Sequence, residues 1–158
     1  AVGFTPDLEA GFYQQALFAQ NFTCLASTAH PRVQGGLTRD DFVREGHVVV
    51  LAMGTGHSIV DKVLAQKRAM RRAVLRVPSF LGVARIVARG ELLVVVPRLL
   101  GEVLASQEAV QVLDVPVPLP DYRVKQHWHE RFNADPGNVW LRRTVAELFA
   151  GSGSSVEI

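Results

Sequence analysis

The sequence has 158 residues, is 48% hydrophobic and carries 17 Lys and Arg against 15 Asp and Glu, so it can bury one core or two small lobes. A membrane span is excluded, because Arg85, Arg89, Glu91 and Arg98 interrupt the longest apolar run well short of the roughly 20 residues that a bilayer needs. One cysteine, Cys24, excludes an internal disulfide framework, suits a reducing cytoplasm and is expected to be a small buried hydrophobe.

The opening residues predict a strand, a helix and a second strand. Residues 1–4 are strand-like, and the amphipathic, aromatic segment 12–18 predicts a helix. Residues 19–27 alternate enough to predict a strand, which His30 and Pro31 end. A strand this close to residue 1 predicts that the chain is a piece of a longer protein.

A short helix then leads into the most informative stretch. Thr38 is a plausible N-cap, and the apolar run His47 to Met53 predicts a strand that is buried on both faces. A glycine-rich turn at 54–57 follows, and a helix is expected to start near Ser58, with Asp61 three residues later in a capping-box arrangement.

The turn at 54–57 has two interpretations. The first-turn N–H groups of the following helix favour an anion or polar acceptor beside Thr55 and His57. A generic strand-to-helix connection also needs glycines and a cap, and explains Gly54 and Gly56 equally well. The turn is neither a dinucleotide fingerprint nor a phosphate loop, because it lacks a third glycine and a Gly-Lys-Ser/Thr.

Strands and helices alternate after residue 66. The predicted elements are a strand at 73–78, a helix at 80–88 with Val83, Ile86 and Val87 facing the core, a strand at 91–97 and a helix at 98–105. This order predicts right-handed crossovers and a parallel sheet. The basic residues Lys67, Arg68, Arg71 and Arg72 are interpreted as a solvated helix C-terminus.

The last third of the chain is predicted to cross to another lobe. Three prolines at 116–120 make an extended spacer, residues 123–128 alternate as a strand, and 139–149 form an amphipathic helix that Asn133 or Asp135 could cap. We therefore predict lobe I from 1–46 and 109–150, lobe II from 47–108, and a flexible tail at 151–158. Two crossings would make a hinge with a ligand cleft beside it.

Several motifs together resemble the effector-binding domain of LysR-type transcriptional regulators, in the branch that controls nodulation and aromatic-compound degradation. The motifs are Ala1-Val2-Gly3-Phe4, Phe12-Tyr13-Gln14-Gln15, Gly54-Thr55-Gly56-His57, Arg76-Val77-Pro78, Val95-Val96-Pro97, Trp128-His129 and Asp135-Pro136-Gly137-Asn138. The resemblance implies an α/β, periplasmic-binding-protein-like fold of two lobes, truncated at the N-terminal side of lobe I.

The resemblance also implies partners and an effector site. DNA would be bound only through an N-terminal winged helix-turn-helix that this chain lacks, and the protein would be a cytoplasmic homo-oligomer, a dimer or tetramer. The implied effector-binding residues are Phe4, Thr5, Phe12, Thr55, His57, Ser79, Phe80, Pro97 and His127. Related regulators often have His where this chain has Ser79, and an apolar residue where it has His127. The resemblance implies no catalytic residue, metal or cofactor.

The leading hypothesis is therefore a sensor that binds a small aromatic or anionic effector between two lobes and so controls a DNA-bound oligomer. The alternative is a small-molecule-binding α/β protein or a hydrolase-like enzyme using His57 and Ser58, although no Gly-x-Ser-x-Gly elbow is present. Metal binding by His127 and His129 is sterically possible, because alternate strand residues share a face, but no third ligand is evident.

Overall fold

The structure is a computed structural model that describes residues 1–4, 10–51 and 57–150, with the backbone alone for His57 and Ser58. Its strands are β1 (Val2–Gly3), β2 (Phe12–Gln20), β3 (Phe22–Ser27), β4 (Gly46–Val50), β5 (Arg72–Val77), β6 (Leu92–Pro97), β7 (Val110–Leu113) and β8 (Tyr122–His129). Its α-helices are α1 (Arg39–Arg44), α2 (His57–Gln66), α3 (Val83–Ala88), α4 (Arg98–Gln107) and α5 (Pro136–Phe149).

The chain forms two compact units. Unit 1 contains Ala1–Gln20 and Asp121–Ile158, and unit 2 contains Asn21–Pro120. Unit 2 is therefore wider than the 47–108 expected for lobe II. The reason is strand pairing: β3 lies between β6 and β7 in the unit 2 sheet, so the segment before residue 47 belongs with it.

Unit 2 is built on a mixed sheet. In the described part of this unit, five strands lie in the order β5-β4-β6-β3-β7. Strand β4 is parallel to β5 and β6, whereas β3 is antiparallel to β6 and β7. The prediction of a parallel sheet therefore holds for the strand-helix-strand region only. The core cluster consists of Leu25, Val48, Val50, Val83, Val87, Val94, Val96 and Val110.

The central strand and its neighbours agree with the sequence patterns. Every residue of β4 is buried, as the apolar run predicted, but the strand ends at Val50 and Leu51, inside the predicted strand, is 52% exposed. In α3, Val83 and Val87 are buried, but Ile86 is 39% exposed, so its predicted core position is wrong. Helix α3 begins three residues later than expected, and its buried residues are Val83, Ala84 and Val87, so the buried face is centred on the side of Ala84 and leaves Ile86 at its edge.

Unit 1 corrects the largest error in the sequence interpretation. Residues 12–18 are not helical; they belong to the nine-residue strand β2, which pairs antiparallel with β8. The Gln126 side chain donates to Gln15 Oε1 at 2.7 Å from the opposing strand, and the Phe18 ring lies 4.9 Å from Phe149 of α5. These contacts are with residues more than 100 positions away, so a local pattern could not reveal them.

The predicted helix caps are confirmed where they can be described. Thr38 Oγ1 accepts from the backbone N–H of Asp41, and Asp135 Oδ1 accepts from that of Asn138 at 2.8 Å. The capping box predicted for Ser58 and Asp61 is not tested, because the Ser58 side chain lies outside the described residues. Asp61 pairs with the Arg71 guanidinium, whose side chain is buried, so Arg71 does not belong to a fully solvated basic cluster. No described helix is long and apolar enough to cross a membrane.

Candidate functional site

Unit 1 contains a cavity of about 560 Å³ at one end of its sheet. Phe12 and His127, both expected to contact the effector, line it. The other lining residues are Ala1, Trp128, His129, Arg131, Phe132 and Asn138. Strand pairing brings these residues together, since Phe12 faces His129 across β2 and β8 in register.

His127 is the chemically distinctive residue of this cavity. His127 is only 6% exposed. Neither of its ring nitrogens, Nδ1 or Nε2, has a hydrogen-bond partner in the described part of the chain. Burial lowers the pKa of His127, and the nearby positive charges of the Ala1 ammonium and Lys125 lower it further. The nearby Gly3 backbone raises the pKa of His127 in part, although it forms no hydrogen bond with either ring nitrogen.

Aromatic side chains form much of the remaining cavity lining and are held in place by contacts. The Phe12 ring meets the His129 ring edge-on at 5.1 Å, and His129 Nδ1 accepts from the backbone N–H of Arg131 at 3.2 Å. Trp128 Nε1 donates to Asn133 Oδ1 at 3.0 Å. A ring, a planar cation or an apolar group of a ligand would find preformed walls here.

Unit 2 contains a second cavity, of about 490 Å³, beside the turn that connects β5 to α3. Ser79 and Phe80 line it, together with Pro78, Leu81, Gly82, Ala84, Arg85, Leu100, Leu104, Gln107 and Glu108. Ser79 Oγ accepts from the Leu81 backbone N–H at 3.1 Å, so this hydroxyl stabilises the turn. The Leu81 side chain is 91% exposed, which leaves an apolar edge on the cavity.

Of the other expected site residues, Phe4 and Pro97 line neither cavity. The Phe4 ring packs edge-on against Tyr122 at 5.0 Å, and burial raises the pKa of Tyr122 to about 12. Pro97 ends β6 and precedes α4. Thr5 and Thr55 lie outside the described residues, as does the side chain of His57, which begins α2.

Sequence reasoning missed most of the cavity walls. Trp128, Arg131 and Phe132 were not expected at the site, and neither were the α4 residues Leu100 and Leu104 in unit 2. One signal was present for the first group: residues next to His127 on the same strand and in the following turn must lie near the same sheet end. No comparable pattern indicated the α4 residues.

A cluster of charged residues in unit 2 is structural. Arg32 donates to Glu45 Oε1 at 2.7 Å and to Glu91 Oε2 at 2.7 Å, and the pairing with Arg32 lowers the pKa of Glu45. His30 Nδ1 accepts from the backbone N–H of Val33 at 3.1 Å. These hydrogen bonds and ion pairs hold the 28–36 loop in place, so the polar groups that form them are already paired. Among the described residues, no group of three His, Cys, Asp or Glu could hold a metal ion.

Comparison with solved structures defines the fold. The probable transcriptional regulator PA0477 from Pseudomonas aeruginosa superposes on 99% of this chain and 50% of its own with a TM-score of 0.81 and 21% identity. The effector binding domain of QuiR in complex with shikimate superposes on 95% of this chain and 71% of its own, with a TM-score of 0.74 and 13% identity. The fold is therefore the mixed α/β, periplasmic-binding-protein-like fold of effector-binding domains.

The family follows from the sequence. Residues 1–150 match the LysR substrate binding domain, and the chain belongs to this family. It is 36% identical over 149 residues to the HTH-type transcriptional activator NahR of Pseudomonas putida, covering 94% of this chain and 50% of NahR. It is 33% identical over 150 residues to NagR of a Ralstonia species, with 95% and 50% coverage. The chain thus spans about half the length of these relatives.

These relationships also decide between the sensor and the enzyme. NahR and NagR are transcriptional activators and not enzymes, and the matching family is a substrate-binding domain. The hydrolase-like alternative with His57 and Ser58 is therefore not favoured.

Proposed function

We propose that this chain is the small-molecule effector-sensing domain of a bacterial transcriptional regulator. Membership of the LysR substrate binding domain family carries the proposal. The whole protein would be cytoplasmic, would bind DNA through a helix-turn-helix outside this chain and would act as a homo-oligomer. The designation of NahR and NagR as HTH-type transcriptional activators supports this, since this chain covers half of each.

We propose further that the effector is a small aromatic or anionic molecule and that the expected site residues contact it. Two cavities support this, because Phe12 and His127 line one and Ser79 and Phe80 line the other. The complex of the QuiR domain with shikimate, a small polar molecule, is consistent with a ligand of this size. The inter-lobe position of the effector, expected from the resemblance, stays a prediction.

Sensing requires only that the effector prefers one conformation of the protein. A preference of about 1–3 kcal/mol, which is typical of allosteric coupling, would change promoter occupancy measurably once a DNA-binding domain is attached. Aromatic walls supply affinity in such a site, and polar groups set the orientation of the ligand.

Thermal-shift screening of this chain against aromatic acids, phenols and flavonoids tests the proposal. A compound that binds the folded state raises the melting temperature in a concentration-dependent way. Calorimetry with the best compound then compares Phe12→Ala with Tyr13→Ala. These adjacent residues point to opposite faces of β2 and are 43% and 49% exposed, but only Phe12 lines the cavity.

We expect Phe12→Ala to weaken binding about fivefold or more, as for the loss of one aromatic wall worth about 1 kcal/mol, and Tyr13→Ala to leave the affinity within twofold. If no compound of these classes raised the melting temperature, the aromatic-effector proposal would be wrong. Equal losses in both variants would place the ligand elsewhere.

A further inference from the structure

We infer that Arg142, which does not line the unit 1 cavity, is a positioning residue that holds one wall of that cavity in its binding shape. The wall in question is the turn at 130–135, between β8 and α5, which contributes Arg131 and Phe132 to the cavity lining and is called the wall turn below. The inference rests on the proposed function, because it concerns how the cavity keeps its affinity for a small effector.

The Arg142 guanidinium makes three interactions with the end of β8 and with the wall turn. Its Nη1 donates to the Phe132 carbonyl at 3.3 Å, and its Nη2 donates to the Asn133 carbonyl at 2.9 Å. Its Cζ lies over the Trp128 ring, 4.4 Å from the ring centroid. A planar guanidinium can make all three at once, because its N–H groups form a fixed fork while its face stacks on a ring. One side chain therefore fixes the end of β8 and the wall turn together.

The backbone of Arg142 has a fixed position against the sheet. Its carbonyl accepts from Gln126 Nε2 at 3.0 Å, and Gln126 lies on β8 and is only 4% exposed. Helix α5 has no fully buried residue, so this buried polar contact is one of the points that fix it on the sheet, as is the contact between the Phe18 and Phe149 rings. The guanidinium therefore projects from a fixed point towards the wall turn.

The end of the wall turn depends on Arg142 more than its start does. The start is held by the Glu130 backbone N–H, which donates to the Gly11 carbonyl at 2.8 Å. At the end, Trp128 Nε1 donates to Asn133 Oδ1 at 3.0 Å, and the Arg142 guanidinium stacks on the same Trp128 ring. Loss of the guanidinium would therefore remove its own bonds to the turn and also uncover the tryptophan that makes the other bond.

The cavity depends on the position of this turn. The Arg131 guanidinium lies over the Phe132 ring at 4.4 Å, so these two lining side chains rest on one another and on the same short stretch of backbone. Without Arg142, the wall would adopt its binding shape in a smaller fraction of the molecules. The apparent affinity of the cavity for a ligand falls in proportion to that fraction.

The alternative role for Arg142 is electrostatic, since a cation near the cavity would attract an anionic effector. Ala1, whose ammonium donates to the His127 carbonyl at 2.8 Å, and Arg131 already line the cavity, and substitution of residue 142 changes neither of them. Arg142→Lys separates the two roles. Lysine keeps the positive charge, but its single ammonium cannot reproduce the fork to two carbonyls while covering the Trp128 ring.

Calorimetry of the full chain with benzoate and phenol, one charged and one uncharged ring, tests the inference. We expect Arg142→Lys to weaken the binding of both probes about tenfold, because a misplaced wall affects any ring in the cavity. The matched control is Arg143→Lys, since Arg143 pairs with Glu147 at 3.4 Å on the exposed side of α5, and it should leave both affinities within about twofold. All titrations are run well below the lowest melting temperature of the set, so that a change in stability alone leaves the affinity unchanged.

The fluorescence of Trp128 supplies a second readout that needs no ligand. The chain has two tryptophans, so Trp140→Phe leaves Trp128 as the only one. In that background, acrylamide should quench Trp128 about twofold more strongly with Arg142→Lys than with the native Arg142, because the guanidinium no longer covers the ring. Arg143→Lys in the same background should leave the quenching unchanged.

Failure of this inference is distinguishable from failure of the proposed function. Unchanged affinities or unchanged quenching in Arg142→Lys would overturn the inference and leave the sensor function intact, and so would a loss confined to benzoate. An Arg142→Lys chain that did not fold would also overturn it, because Arg142 would then be required for the fold as a whole. Should the wild type bind neither probe, the inference would be wrong whatever else the screen finds, whereas the proposed effector class fails only if no compound of the screen binds.

Discussion

His47 shows how a single buried residue ties the stability of unit 2 to pH. Its Nε2 donates to the Phe42 carbonyl at 2.7 Å, and its ring packs edge-on against Phe42 at 4.7 Å. Nδ1 is buried with no partner among the described residues. Burial, together with the charge of Arg71, lowers the pKa of His47 to about 4, although the hydrogen bond to the Phe42 carbonyl offsets part of the lowering. Protonation at Nδ1 would place an unpaired charge in the core.

We therefore expect stability to fall as the pH drops from about 6.5 towards 4. The unfolded chain takes up the proton first, because its histidine keeps the ordinary pKa, so the full contribution is present above pH 6.5. Linkage gives a loss of about 2 kcal/mol between pH 7.5 and pH 5.0 for the pKa of about 4. Urea unfolding at these two pH values measures it.

The matched variant for this prediction is His47→Gln, which keeps a side-chain donor but cannot take up a proton in this range. Its loss of stability between pH 7.5 and pH 5.0 should be smaller than that of the wild type by about 2 kcal/mol. Burial also lowers the pKa of His127, so this residue adds a further loss of stability at low pH, and it does so equally in the wild type and in His47→Gln. Equal losses in the two proteins would show that His47 is not the responsible group.

At the scale of elements, α4 depends on a glycine for its approach to the sheet. A Cβ at Gly101 would lie 2.6 Å from Thr23 Cγ2 and 3.2 Å from Val96 Cγ2. Glycine within a helix normally costs about 1 kcal/mol relative to alanine, so Gly101→Ala would be stabilising in an open helix. Here we expect it to lower the free energy of unfolding by about 1–3 kcal/mol, because the helix must move away from β3 and β6.

Urea unfolding of Gly101→Ala measures this effect, and Thr23→Ser in the same background tests its cause. Serine keeps the hydroxyl that donates to the Leu113 carbonyl at 2.7 Å but lacks the methyl group that meets the new Cβ. The double variant should recover part of the lost stability. Glu102→Ala, next along the helix and exposed, should stay within about 0.5 kcal/mol of the wild type. A stabilised Gly101→Ala would contradict the prediction.

The sequence patterns predicted the elements of unit 2 well because their signals are local. A β-branched apolar run marked β4, and Thr38 marked the start of α1. The start of α5 in unit 1 was marked in the same local way by Asp135. The helix prediction for 12–18 is wrong because this strand is specified by its pairing with β8, more than 100 residues away. Helical and strand periodicities are hard to separate in a short aromatic segment, and only the partner strand decides between them.

The candidate site was predictable only in part, for the same reason. Phe12, Ser79, Phe80 and His127 were expected from the resemblance and do line cavities. Leu100 and Leu104 of α4 were not, because a cavity lining depends on how a helix packs rather than on its own pattern. That both His127 nitrogens lack partners cannot be predicted from sequence, since it requires the positions of all neighbouring groups.

At the scale of the whole molecule, the two units differ in how the chain builds them. Unit 2 is one continuous segment, 21–120, and contains the entire core cluster from Leu25 to Val110. Its first residue, Asn21, is held by a hydrogen bond, because its backbone carbonyl accepts from the Arg98 backbone N–H at 2.9 Å. Unit 1 joins two distant segments through β2 and β8, and its helix α5 has no fully buried residue.

We therefore expect a fragment of residues 21–120 to fold alone, whereas a fragment of 121–158 should not. A single-core segment of about 100 residues buries enough apolar surface for independent stability, but an isolated β8 with α5 lacks its partner strand. Circular dichroism and thermal melting measure both fragments. The 21–120 fragment should show mixed α/β structure and a cooperative transition, and 121–158 should show neither. A non-cooperative melt of 21–120 would mean that unit 2 needs unit 1 to fold, despite containing the whole core cluster.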